Sequence, residues 1–266
     1  MIELNNGINP DLLDATFDLD GTVKKFNTLE IYTERLCTQT IFDPLPSDII
    51  AAKQAWKEDN TEQKYVDHMG MLVKFFIEQV PGKQVGQLTE AANIVAKQQK
   101  HRRWNITAAI IQELQPSHNI IAISHMPEWL MEPFVRDLGF IALIGSTYVD
   151  RDGVFTGEAH GINKATEYAK IRDGDTSQLD VHMGDTVGDS PLFALARRPI
   201  LFNPSHTLLE EDRFDNSTIL ISHKDAVTVI NPDINDQTRK TASIYGPPFD
   251  VPAILSKIRE RDYRAV

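Results

Sequence analysis

Residues 12–23, LLDATFDLDGTV, read as a short strand running out into an acidic turn that contains a glycine. Side chains alternate faces along a strand, so Asp18 and Asp20 leave its end on the same side. Gly21 allows a tight turn behind them, and Thr22 adds a hydroxyl donor. Such a pair can share a hard divalent cation, or divide labour as nucleophile and proton donor. A cation would also relieve the repulsion that hinders ionisation of both. An EF-hand loop placed on Asp18, Asp20 and Gly21 would need Asp or Asn at position 16 and Glu at position 27. The chain has Thr16 and Asn27, so that reading fails. A second D-x-D-G, Asp150 to Gly153, lies in VDRDGVF and reads as a hairpin turn. The tetrapeptide alone is therefore a weak signal.

Downstream of this strand the hydrophobic period changes. Segments 28–42, 47–58, 61–80 and 84–102 carry apolar residues at helical spacing, with Val66, Met69, Val73 and Phe76 as the expected inner face of the third. Pro44 with Pro46, Asp59-Asn60 and Pro81-Gly82 separate them. After this helical block the pattern alternates. Helices are expected at 105–115, 127–138, 163–172 and 189–196, and strands at 119–124, 140–144, 179–183 and 199–202, with a hairpin over 146–157. Such alternation predicts an α/β fold with a doubly wound parallel sheet. The expected organisation is a core of residues 1–24 and 104–266 with a four-helix domain, 25–103, inserted after the first strand. A strand at 218–222 and a helix at 252–261 are also expected, while the polar stretch 231–248 reads as a loop.

The composition belongs to a globular protein: 266 residues, 41% hydrophobic and 24% charged. A net charge of −11 disfavours nonspecific nucleic-acid binding. No apolar run has the length of a membrane span, no secretory signal is visible, and one cysteine, Cys37, excludes an internal disulfide framework. A cytoplasmic location is expected; the oligomeric state is not legible.

In open α/β sheets, ligands bind beyond the carboxyl ends of the strands. Four stations of this chain are predicted to gather there. Asp18 and Asp20 follow the first strand, Ser124 and His125 follow IIAI, Lys164 opens a helix, and Asp185 and Asp189 follow LDVHMG. The amides of His125 and Met126 are expected to start a helix and face an anion. Asp189 also fits a helix N-cap, and His182 within LDVHM fits a hydrogen-bonded core residue. As a set, the stations hold what phosphoryl transfer needs: a nucleophile, metal ligands, amide and hydroxyl donors, and one compensating cation.

The ordered set D-x-D-G-T, S, K, G-D-x-x-x-D resembles the haloacid dehalogenase (HAD) superfamily. The wording SHMPEWLMEPFVRDLGF and IGSTYVDRDGVFTGE is similar to its phosphoserine-phosphatase-like branch, subfamily IB. The resemblance spans about residues 10–205, closely in the core and loosely in the helical block. It implies a HAD-type phosphatase, with the helical block as a cap and a small phosphorylated metabolite as substrate. Asp18 would attack phosphorus and carry an aspartyl phosphate, while Asp20 would serve as acid and base. Mg²⁺ would bind Asp18, Asp20 through its main-chain carbonyl, and Asp185. Thr22, Ser124, His125 and Lys164 would hold phosphate, with Gly21 and Asp189 in support. A phosphotransferase or mutase, or a phosphorylation-dependent switch module, would use the same aspartyl phosphate. Phosphoserine recognition in this branch uses a cap arginine with a nearby glutamate. Glu30 matches the glutamate, but no arginine lies between Arg35 and Arg102.

Overall fold

The computed structural model describes residues 1–4, 7–59, 61–210, 217–222, 226–233, 236–246 and 248–258. A two-residue strand β1 (Ile2–Glu3) precedes β2 (Leu13–Phe17), followed by four helices: α1 (Thr28–Thr38), α2 (Ser47–Asp59), α3 (Glu62–Gln79) and α4 (Val85–Gln99). Helices and strands then alternate: α5 (Asn105–Leu114), β3 (His118–Pro127), α6 (Glu128–Val135), β4 (Ala142–Arg151), β5 (Val154–His160), α7 (Lys164–Ile171), β6 (Leu179–Gly184), α8 (Ser190–Leu195) and β7 (Arg198–Phe202). The remainder holds α9 (His206–Leu209), β8 (Thr218–Ser222), β9 (Val227–Asp233), β10 (Asp236–Tyr245) and α10 (Val251–Leu255).

The sheet order is β1-β4-β3-β2-β6-β7-β8-β9-β10, with β5 paired to β4. From β4 to β8 neighbouring strands are parallel. Counted from β2, these six lie in the order 3-2-1-4-5-6, that of a doubly wound sheet. The order reverses between β2 and β6, and it is at the carboxyl ends beside such a switch point that sheets of this kind have their ligand crevice. Alternation along β3 feeds both faces of the sheet. Ile120 and Ala122 join the larger core with Phe17, Met183 and Phe202, and Ile121 and Ile123 join a second core with Tyr168 and Leu192. Such parallel strands, buried on both faces, read as continuous apolar runs.

Helices α1–α4 interrupt the α/β order directly after β2, and the segments leading in and out of them pair with each other. Lys25 N donates to Arg102 O at 2.9 Å, and Trp104 N to Val23 O at 3.1 Å. Aromatic rings seat the block. Trp129 of α6 packs against Tyr32 of α1 and Phe76 of α3, and also against Tyr148 and Phe155 of the β4–β5 hairpin. The α3–α4 joint leans on that hairpin through Gly82 N to Phe155 O (2.8 Å) and Val85 N to Gly153 O (2.8 Å).

Four expectations need correction. The buried face of α3 is His68, Leu72, Phe75 and Phe76, leaving Val66 and Val73 at 54% and 38% exposure. The helical period is as expected but its phase is rotated, because Phe75 and Phe76 dock on Phe42. The expected loop 231–248 contains β10, paired antiparallel with β9; main-chain pairing needs no apolar pattern. Strand β3 runs three residues further than its apolar stretch, because Pro127 pairs with Ser146 after a register shift. Helix α6 therefore begins at Glu128, beyond the amides of His125 and Met126. The end of the expected helix 252–261 falls outside the described residues. Among the described residues, no helix is long and apolar enough to cross a membrane.

Candidate active site

Register builds the site. Phe17 is aligned with Ala122 on one side and Met183 on the other, so the chains emerge side by side at the carboxyl edge carrying Asp18, Ser124 and Asp185. Helix α7 starts at this edge, capped by Asn163, whose side chain accepts from Thr166 N at 3.0 Å. Its first residue, Lys164, reaches inward with its side chain 2% exposed. The Nζ donates to Asp18 Oδ1 and to Asp189 Oδ1, each at 2.6 Å.

Asp189 has a second task. Its Oδ2 accepts from the amides of Asp185 and Thr186, both at 3.2 Å, which folds the loop after β6. It also stands at the N-cap of α8 but makes no side-chain bond there. A Cβ at Gly184 would lie 2.4 Å from the Asp189 Cγ, so only glycine lets the strand pass so close. His182 is fully buried behind this loop, sharing a 2.9 Å hydrogen bond with the Thr16 hydroxyl and lying 3.5 Å from Asp189 Oδ1.

Asp18, Asp185 and Asp189 each offer an oxygen within 4.8 Å of the others. Burial pushes the Asp18 carboxyl up to about 7, with Asp189 and Asp20 adding repulsion against the pull of Lys164. Asp185 is raised for the same reasons, burial first and then Asp18 and Asp189. Burial would also raise Asp189, but Lys164 and His182 overcome it and hold that carboxyl low. Burial would lower Lys164, and the two carboxylates that flank it raise it instead. The charges are thus unevenly matched: among the described residues, one ammonium stands among three carboxylates.

Gly21 sits at φ +84, and a Cβ there would lie 1.9 Å from Asp185 Oδ2. Its carbonyl accepts from Trp104 Nε1 at 3.0 Å, tying the first loop to the segment entering α5. The buried Thr22 hydroxyl donates to Asp185 Oδ1 at 3.3 Å, so this side chain expected at phosphate is turned to a carboxylate. Ser124 is buried, and its Oγ accepts from Met126 N at 3.2 Å. That bond uses the amide expected at a helix start, while the serine keeps its proton to donate. His125 is exposed on one side and set against Gly188 on the other, its pKa lowered by lost hydration and by Lys164.

The carboxylate of Asp20 stands apart from the acidic cluster. Its Oδ1 accepts from Lys24 Nζ (2.7 Å) and Thr28 Oγ1 (2.7 Å), and its Oδ2 from Thr28 N (3.0 Å). The third carboxylate of the cluster is Asp189 and not Asp20. Glu30 is ion-paired with Lys53 at 2.5 Å and lines a cleft of about 340 Å³ with Asn27, Trp56 and Tyr65. Lys24 and Thr28 escaped the sequence reading. A lysine directly before Lys25 looks like the start of a solvated linker, and nothing in the local pattern shows its burial.

The family model of haloacid dehalogenase-like hydrolases matches residues 15–194. The chain belongs to that family. Solved structures show the fold. A protein of unknown function from Bordetella pertussis Tohama I is 18% identical with a TM-score of 0.59, over 77% of this chain and 96% of its own. A phosphoserine phosphohydrolase-like protein from Francisella tularensis subsp. tularensis SCHU S4 is 15% identical with a TM-score of 0.50, over 79% of this chain and 95% of its own. No curated protein sequence matches.

Proposed function

We propose that this HAD-like hydrolase is a Mg²⁺-dependent phosphomonoesterase acting on a small phosphorylated metabolite. The observation that carries the reading is Lys164 Nζ held between Asp18 and Asp189 at 2.6 Å, with Asp185 in the same cluster, at the crevice between β2 and β6. The donor set fits a hard divalent cation. It is all carboxylate oxygen, Asp18 and Asp189 are buried with Asp185 partly so, and one lysine leaves it short of positive charge. Asp18 and Asp185 would hold the ion, which would supply electrostatic stabilisation to the charge on a transferring phosphoryl group.

The side chains divide the remaining work. Asp18 attacks phosphorus, the bond to the leaving oxygen breaks, and Asp20 supplies the proton that oxygen needs. Water then attacks the aspartyl phosphate, giving its proton to Asp20 and restoring the Asp18 carboxylate. Lys164 and the Ser124 hydroxyl hold phosphoryl oxygens, and Asp189 keeps Lys164 aimed. Helices α1–α4, over residues 25–103, act as the cap. The cleft by Asn27 and Tyr65 receives the leaving group, because the Tyr65 hydroxyl lies close enough to feel the charges of Asp20 and Asp185. Glu30 there is already neutralised by Lys53, so a substrate ammonium has less claim on it.

The test is phosphate release from a panel of phosphorylated metabolites, phosphoserine included, with Mg²⁺ and with EDTA. EDTA-sensitive release that Asp18→Asn abolishes supports the reading. A phosphorylated acceptor formed only on addition of acceptor alcohols, in place of free phosphate, would make the protein a phosphotransferase, and a stable phosphoprotein without release would make it a switch.

A further inference from the structure

Lys24 is 1% exposed; burial lowers its pKa, and Asp20 beside it pulls the other way. Its Nζ lies 2.7 Å from Asp20 Oδ1, 3.6 Å from Met131 Sδ and 4.5 Å from the centre of the Phe134 ring. It also donates to Thr28 Oγ1, which in turn donates to Asp20 Oδ1 at 2.7 Å. Ammonium, hydroxyl and carboxylate therefore form a closed triangle, completed by Thr28 N on Asp20 Oδ2. Met131 and Phe134 belong to α6 in the core, whereas Thr28 opens α1. Burying an ammonium among a thioether and aromatic rings is costly unless it is paired, and here the pair is Asp20.

We propose that Lys24, together with Thr28, is a positioning residue for Asp20, fixing the orientation in which its protonated form gives a proton to the leaving oxygen and its carboxylate takes one back from the attacking water. This rests on the reading of Asp20 as acid and base. Neither Lys24 nor Thr28 needs to touch the phosphoryl group. Their effect falls on the two steps in which Asp20 moves a proton, protonation of the leaving oxygen and attack of water on the aspartyl phosphate, and only the first depends on the leaving group. An alkoxide leaving group depends on that proton, and a nitrophenolate does not.

The experiment compares kcat/KM, which reports the steps up to loss of the leaving group, for p-nitrophenyl phosphate and an alkyl phosphate with Mg²⁺ present. Lys24→Met keeps the length and apolar stem, and its melting temperature is recorded alongside. The expected result is a loss of about a hundredfold on the alkyl ester, the scale of a general acid, with less than about threefold on the aryl ester. Asp20→Asn should show the same selective loss, and the double variant should be no worse than Asp20→Asn alone, since the two residues act as one unit. Thr28→Val should shift the same ratio in the same direction by less, and it carries the test if Lys24→Met does not fold. Equal losses on both esters, or a double variant that multiplies the single losses, would overturn the proposal while leaving the phosphatase reading intact. Failure of the unaltered protein to hydrolyse either ester, or any member of the metabolite panel, would overturn both.

Discussion

The two central strands each carry a carboxylate at both ends, and the ends differ. At the amino end, Asp14 of β2 receives Arg172 Nε (2.7 Å), the Tyr168 hydroxyl (2.6 Å) and Asn119 Nδ2 (2.9 Å). Asp180 of β6 receives His118 Nε2 (2.9 Å) and Arg198 Nε (3.1 Å). At the carboxyl end, Asp18 and Asp185 face each other and Asp189, and Lys164 is the one cation among them in the described residues. Residue type and strands are the same; the number of cations per carboxylate differs. Burial would raise Asp180, yet His118 and Arg198 bring it to about 2, while Asp18 stands at about 7. Matched carboxylates hold the sheet together. The under-matched ones store the charge deficit that a cation and a phosphoryl group would use.

The largest expected effect separates the two ends of β2. Asp18→Asn should lower phosphate release at least about a thousandfold, with a melting temperature equal to or above that of the unaltered protein. Asp14→Asn should instead cost about 3 kcal/mol of stability by leaving Arg172 unpaired, with the remaining folded protein active. Denaturant titration and turnover on both variants check this, and an unstable Asp18→Asn beside a stable Asp14→Asn would erase the contrast.

Gly21→Ala tests the crowding at the carboxyl end. A positive φ and a contact at 1.9 Å predict a cost of ~2 kcal/mol and a displaced Asp185, read as a lower melting point and loss of stabilisation by Mg²⁺. The pH dependence should run in opposite directions at the two ends. Asp180 is depressed in the fold, from 3.8 to about 2, so its contribution of about 2 kcal/mol is present above pH 4 and is lost as pH falls towards 2. Asp18 is raised from 3.8 to about 7, so in EDTA the folded state favours the protonated form and stability falls as pH rises through that window. Melting curves across pH should show both limbs in the unaltered protein, with Asp180→Asn losing the acid limb and Asp18→Asn losing the other.

The smallest effect is expected at the other D-x-D-G. Asp150 accepts from Gly153 N at 3.2 Å in an exposed turn, so Asp150→Asn should change stability by less than about 0.5 kcal/mol and leave turnover unchanged. That second tetrapeptide also shows what was legible in the sequence. The parallel core was readable, because strands buried on both faces are apolar runs separated by amphipathic helices. The residues that meet at the β2–β6 crevice were readable as strand-end polar residues. What depended on side-chain packing was not: the rotation of α3 that turns Val66 outward, and the burial of Lys24. Strand β10 was hidden because its pairing is main-chain chemistry on a polar sequence. Extension of β3 to Pro127, which moved the expected helix start away from Ser124, was set by its neighbour β4 rather than by its own residues.

The most direct measurement is borohydride trapping of the enzyme during turnover of p-nitrophenyl phosphate with Mg²⁺, followed by peptide mass analysis. An aspartyl phosphate is reduced to homoserine, so the account predicts homoserine at position 18 and nowhere else, and none in Asp18→Asn. Turnover without that label, or a label on Asp20, Asp185 or Asp189, would contradict it.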